Sequence, residues 1–188
     1  SEIMLELFMI AVGVAMDAFA VAICKGLSMT KMSWKNALIT GFYFGSFQAL
    51  MPLFGYLLGS HLHNNILSYE HWISFFLLTS IGINMIKNAK EKIDSIDNSF
   101  KFYTMLLLAI ATSIDALAVG VTFAFLDFNL LFSICFIGTL TFSLSVIGVK
   151  IGNMFGVKYT AKAEQMGGII LILIALKILI EYLFSSYF

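Results

Sequence analysis

Six apolar runs of membrane-spanning length, at residues 3–24, 36–59, 71–87, 102–126, 130–151 and 165–185, constrain this chain more than any other feature. A helix needs about 20 apolar residues to cross the hydrocarbon core of a bilayer, where every backbone polar group must be satisfied within the segment. Six such helices with short connections use up the 188 residues and leave no room for a soluble domain. Composition agrees: 60% of the residues are hydrophobic and only 12% charged, and the mean hydropathy of +0.95 lies far from the balance of soluble domains. The expected fold class is all-α, a polytopic membrane protein of six transmembrane helices forming a single transmembrane domain over 1–188.

The charges orient it. Eleven lysines and no arginine offset eleven acidic residues, for a net charge of zero, so there is no overall basic field of the kind that attracts nucleic acid. The partner implied by the apolar runs is the lipid bilayer. An even number of spans places both termini on one side and the connections after the first, third and fifth spans on the other. Those connections and their flanks hold Lys25, Lys31, Lys35, Lys87, Lys90, Lys92, Lys101, Lys150, Lys158 and Lys162, and only Lys177 lies elsewhere. By the positive-inside rule these loops are cytoplasmic and both termini extracytoplasmic. The first run, flanked by Glu2 and Glu6 and interrupted by Asp17, reads as a retained span rather than a signal peptide. Cys24 and Cys135 sit inside apolar runs, which predicts small buried hydrophobes and not a disulfide framework.

The chain also repeats itself. Asp17-Ala-Phe-Ala-Val recurs at 115–119 as Asp-Ala-Leu-Ala-Val, an offset of 98; Gly41, Gly55 and Gly59 match Gly138, Gly152 and Gly156 at 97, and Glu70 matches Glu164 at 94. Three spans per half is an odd number, so the second half enters the membrane with inverted topology. The expectation is two inverted three-helix repeats, 1–88 and 102–188, joined by a cytoplasmic connector at 89–101. Many secondary transporters are built so, with the substrate site near the midplane where the repeats meet.

Asp17 and Asp115 carry the chemistry in this reading. A carboxylate near the bilayer centre costs about 2.5 to 3.5 kcal/mol on insertion scales, and a bound cation or a proton offsets that cost. Two carboxylates facing each other across a pseudo-two-fold axis repel unless a cation or proton lies between them. Oxygen ligands suit a hard or borderline divalent ion such as manganese or magnesium, completed by neutral oxygens. Met16 is a conceivable thioether ligand, with simple packing the commoner use.

Secondary candidates surround this pair. Gln48 lies one turn before Pro52, the only proline, whose missing donor frees a carbonyl near mid-membrane. Asn84, Thr112 and Thr122 are polar groups within spans and possible further ligands, whereas Ser113, Thr141, Ser143 and Ser145 fit interhelical hydrogen-bonding glue. Glu70 and Glu164 either complement helix macrodipoles or form an ion gate at each mouth. Lys177 and Glu181 stand i, i+4, positioned to pair, to snorkel or to act in coupling. Loop histidines His61, His63 and His71 fit solvated surface. Gly41-x-x-x-Gly45, Gly55-x-x-x-Gly59 and Gly148-x-x-x-Gly152-x-x-x-Gly156 fit close helix packing.

Met-Asp-Ala-Phe-Ala-Val-Ala-Ile at 16–23, Lys-Gly-Leu-Ser at 25–28, Phe-Gln-Ala-Leu-Met-Pro-Leu at 47–53 and Ser-Ile-Asp-Ala-Leu-Ala-Val-Gly at 113–120 resemble the MntP family of bacterial manganese efflux pumps, within the LysE-like transporter group. Ala-Glu-x-x-Gly-Gly-Ile-Ile-Leu-Ile-Leu-Ile at 163–174 and Leu-Lys-Ile-Leu at 176–179 are similar to that family's last helix. The resemblance implies Mn²⁺ export across the bacterial plasma (inner) membrane, with Mn²⁺ as transported substrate, no permanent cofactor, no enzymatic activity, and a metal site at Asp17 and Asp115. Composition and spacing alone reach a small secondary transporter for a cation. Two competitors stand beside it: an exporter of a small organic cation such as an amino acid, and an intramembrane aspartyl protease. The protease expects a Gly-x-Gly-Asp element that neither Met16-Asp17 nor Ile114-Asp115 provides.

Overall fold

A computed structural model describes residues 2–61, 100–124, 128–156 and 160–187, together with 72, 75, 76, 79, 80, 82, 83, 86 and 87. It contains five continuous helices: α1 (Glu2–Leu27), α2 (Trp34–Gly59), α3 (Phe102–Phe123), α4 (Leu130–Gly156) and α5 (Thr160–Tyr187). Every described residue from Trp72 to Lys87 is helical as well. Four helices, α1 to α4, are long and apolar enough to cross a membrane, which makes the chain a multi-pass all-α membrane protein. Against six expected spans, four are thus matched among the described residues. The run at 71–87 is described at only the nine positions named above, the connector at 89–101 lies outside the described residues except for 100 and 101, and the last run falls within α5.

Helix ends follow local capping rather than the ends of the apolar runs. The Ser33 side chain accepts a hydrogen bond from the Asn36 backbone at 3.3 Å and starts α2. Asn129 does the same for Phe132 at 3.2 Å and starts α4, each satisfying a donor that the first turn leaves open. At its far end α4 runs on to Gly156 through Lys150 and Asn153, because a lysine on an apolar stem can leave the membrane without ending the helix. The Asn153 amide donates to the Met29 carbonyl at 3.1 Å and ties the α1–α2 turn to α4. Beneath that turn Lys25 is buried, its ammonium 5.1 Å from the centre of the Phe100 ring. The sequence places this lysine in the flank of a cytoplasmic connection, and the turn folds over it.

Glycines set the packing. A Cβ on Gly26 would collide with the Val149 carbonyl, and one on Gly152 with the Ile23 carbonyl, so α1 and α4 touch backbone to backbone. The same reciprocal pattern joins α3 to α2, where Gly120 abuts the Pro52 carbonyl and Gly55 the Leu117 carbonyl. A third crossing joins α2 to α4: Gly41 lies against Val146 and Phe142, and Gly138 against Ala49 and Gly45. Residue numbers rise together across the first two interfaces and oppositely across the third. Consequently α1 is parallel to α4, α2 to α3, and the two helices carrying Asp-Ala-x-Ala-Val run in opposite directions.

The outward faces carry Phe42, Phe54, Leu131, Ile147 and Phe155, all exposed. Such a surface would aggregate in water and suits acyl chains. Cys24 is buried and Cys135 exposed, so only the first behaves as expected. Met16 likewise faces outward, 46% exposed, and is no ligand for the aspartate beside it. An apolar run cannot distinguish a helix's core face from its lipid face, since both are hydrophobic.

Candidate functional site

Asp17 on α1 and Asp115 on α3 are partly buried, and their side chains lie close enough to interact. Two ionised carboxylates this close repel unless a cation or a proton lies between them. Small neighbours permit this meeting: Ala15, Ala18 and Ala22 on α1, with Ala111 and Ala116 on α3, are all buried.

Gln48 of α2 joins the same two helices one turn earlier. It is fully buried, and its amide nitrogen donates at 3.0 Å to the Val14 carbonyl and at 3.0 Å to the Thr112 carbonyl. Val14 precedes Asp17 by three residues and Thr112 precedes Asp115 by three, so the clamp grips matching points of the Asp-Ala-x-Ala-Val elements. The orientation of the amide follows, because its oxygen turned towards two carbonyl oxygens would be repelled. Both N–H protons are thereby used, while Oε1 is buried without a hydrogen-bond partner. Replacing Gln48 by Leu removes two bonds worth about 0.5–1.5 kcal/mol each, partly offset by loss of the orphaned oxygen. The expected net destabilisation is about 1 kcal/mol, measured as the thermal midpoint of purified protein.

The other candidates fare unevenly. Thr112 is buried, but its hydroxyl donates to Leu108 at 2.9 Å and Ala109 at 3.3 Å within its own helix, leaving its carbonyl as the group engaged by Gln48. Ser113 donates to Ala109 at 2.6 Å and Ser143 to Thr139 at 3.0 Å, so neither bridges helices as expected of glue. Thr141 and Ser145 are fully buried with hydroxyls that have no partner. Lys177 and Glu181 are exposed and paired at 3.6 Å. Glu70 and Asn84 lie outside the described residues, as do the side chains of Thr122 and Glu164 and the histidines His63 and His71. His61 is exposed.

No group of three or more His, Cys, Asp or Glu able to hold a metal occurs among the described residues. An open groove of 340 Å³ on the outer side of the α2–α4 crossing, lined by Phe42, Ala49, Cys135 and Phe142 among others, contains no acidic group and lies apart from the Asp17–Asp115 pair.

Residues 31–179 match the model of a family described as "Putative manganese efflux pump". Proteins of that description from Desulfitobacterium hafniense and Acetivibrio thermocellus are each 58% identical to this chain. The first match covers 95% of both chains, and the second 95% of this one and 91% of the relative. A relative from Methanosphaera stadtmanae is 42% identical over 95% of this chain and 100% of its own. No solved structure matches.

Proposed function

Given that this chain belongs to the MntP family of manganese efflux pumps, we propose that it exports Mn²⁺ from the cytoplasm by alternating access, with the ion held near the midplane between Asp17 and Asp115. The observation that carries this reading is the meeting of two intramembrane carboxyl groups from oppositely directed helices. A proton shared by the pair when empty and a divalent ion when loaded neutralise the same charge, so metal and proton bind in alternation. Efflux coupled to proton entry follows from that exclusion.

Three helices per half, 1–88 and 102–188 with inverted topology, and both termini outside, complete the architecture proposed. Support comes from the α2–α4 crossing, where the contacts of Gly41 with Phe142 and Val146 and those of Gly138 with Gly45 and Ala49 interchange under the repeat offset of 97. Further support comes from an asymmetry. The α1–α4 and α3–α2 crossings share one local pattern, yet Gly26 stands nine residues beyond Asp17 and Gly120 only five beyond Asp115. That difference is one helical turn, about 5.4 Å. Two equivalent interfaces held in registers one turn apart are what a two-state carrier presents in either end state, and a reciprocal slide would interchange them.

Coupling is tested in proteoliposomes with a manganese-sensitive dye inside. Mn²⁺ movement is expected to accelerate when the opposite compartment is made acidic and to slow when the gradient is collapsed. Transport indifferent to the gradient would reject proton exchange.

A further inference from the structure

The Asp17–Asp115 pair is covered unequally on its two sides. Since α1 and α3 run in opposite directions, residues before Asp17 and residues after Asp115 flank the pair on the side of the chain's N-terminus, the extracytoplasmic side of the topology proposed above. Helical spacing gives the neighbours that share a stripe with each acid. On the extracytoplasmic side Gly13 is exposed and Ile10, Ala118 and Val119 are partly buried; only Val14, whose carbonyl Gln48 grips, is covered. On the cytoplasmic side Val21, Cys24, Leu108, Ala111 and Thr112 are all buried, 4% exposed or less, and only Ala20 is partly open.

Gly13 marks the sharpest difference. Among the described residues nothing lies within 4 Å of a Cβ there. It stands one turn before Asp17, and a helical side chain leans over the turn N-terminal to its own Cα, so the Asp17 carboxyl borders this open space. Asp17 is itself partly exposed. An ionisable group at that depth faces the bundle interior or a water-filled cavity and not acyl chains, so the space beside Gly13 is aqueous. The repeat heightens the contrast: at the offset of 98 Gly13 corresponds to Ala111, and one is open where its counterpart is shut.

The closure has a physical basis. Val21, Cys24, Leu108 and Ala111 belong to one buried apolar cluster with Met29 and Met105. The α1–α2 turn seals it, with the Met29 carbonyl held by Asn153 at 3.1 Å and Lys25 lying over the Phe100 ring. An apolar constriction of this kind excludes water and hydrated ions.

Resting on the manganese reading above, we propose that the ion leaves the Asp17–Asp115 site through a water-filled mouth beside Gly13, open to the extracytoplasmic side, while a plug of Val21, Cys24, Leu108 and Ala111 shuts the site from the cytoplasm. When the carrier turns inward the roles exchange, and the space at Ala111 becomes the mouth by which the ion enters.

The test is thiol labelling of the full chain in right-side-out membrane vesicles, with native Cys24 and Cys135 replaced by alanine and a charged, membrane-impermeant methanethiosulfonate outside. Such reagents attack the thiolate, which forms in water and not among acyl chains or within an apolar plug. Gly13→Cys is expected to react at least about tenfold faster than Val21→Cys or Ala111→Cys, and Mn²⁺ is expected to slow it by occupying the adjoining site. Equal rates at the three positions, or a Gly13→Cys thiol that faces lipid and does not react, would overturn the proposal. Gly13→Leu supplies a second measurement. Its side chain meets no neighbour, so the metal-free thermal midpoint is expected to stay within about 2 °C of the parent's, while filling the mouth cuts Mn²⁺ efflux about tenfold or more. Efflux at the parent rate would also overturn the proposal, since a leucine on a lipid face is silent. The two levels separate: fast labelling of Gly13→Cys that Mn²⁺ does not slow leaves the mouth in place and overturns the location of the ion.

Discussion

Substitution of Asn for Asp17, and separately for Asp115, is expected to abolish manganese export while leaving the protein inserted and folded. Asn keeps the shape of Asp and removes the charge that a divalent ion requires in a medium too poor in water to supply another counter-charge. Truncating one member of a buried charge pair costs about 2–5 kcal/mol. At 1.4 kcal/mol per decade this is roughly 30-fold to several thousand-fold in affinity, enough to reduce efflux to background in a manganese-tolerance assay. Folding should survive, because an Asn amide can donate to the remaining carboxylate, which relieves the repulsion between two acids. Equal amounts of variant and parent in the membrane fraction, with tolerance lost only in the variants, is the expected pattern. Tolerance retained in both variants would remove the proposed site.

The second large effect is steric. Gly120→Ala is expected to destabilise the protein by about 3 kcal/mol, at the upper end of overpacking costs, and Gly152→Ala by a similar amount. In each case the new methyl meets a backbone carbonyl, of Pro52 or of Ile23, and a carbonyl within a helix cannot swing aside as a side chain can. Relief requires separation of α3 from α2 or of α1 from α4. The thermal midpoint should fall by about 10 °C, with activity lost at lower temperature than in the parent. Gly13→Ala is the internal control, since nothing lies within 4 Å of a Cβ there; its midpoint is expected to hold or rise slightly, alanine being the better helix former. Equal effects at all three positions would refute this account of the crossings.

Much of the fold could be read from the residues because lipid imposes strong rules. Four of the expected spans coincide with α1 to α4 to within a few residues, since an apolar run of spanning length can be little else in a bilayer. The glycines at 41, 45, 55, 148 and 152 were expected to mediate close packing and do so, as the absence of a side chain is itself the packing signal. The site was legible in part. Asp17 and Asp115 stand out because charge is expensive at that depth, and their shared Asp-Ala-x-Ala-Val context marks them as a pair.

The rest needed the third dimension. Ser143 and Ser145 are two residues apart on one helix and the same amino acid, yet one hydroxyl is satisfied by its own backbone and the other is buried without a partner. Nothing local distinguishes them; their difference arises from which neighbour covers each face. Cys135, expected to be buried from the apolar run around it, and Met16, expected to be packed or ligating, both face outward, because hydrophobicity does not differ between core and lipid.

Residue order by itself therefore determined the helices, the membrane and the two acids, each through the cost of placing a backbone amide or a charge in hydrocarbon. Tertiary structure alone decided that these acids come together and that Gln48 holds their helices together by two carbonyls. Those facts depend on which helix faces cross and at which turn, and crossings are selected by long-range packing that no local pattern encodes.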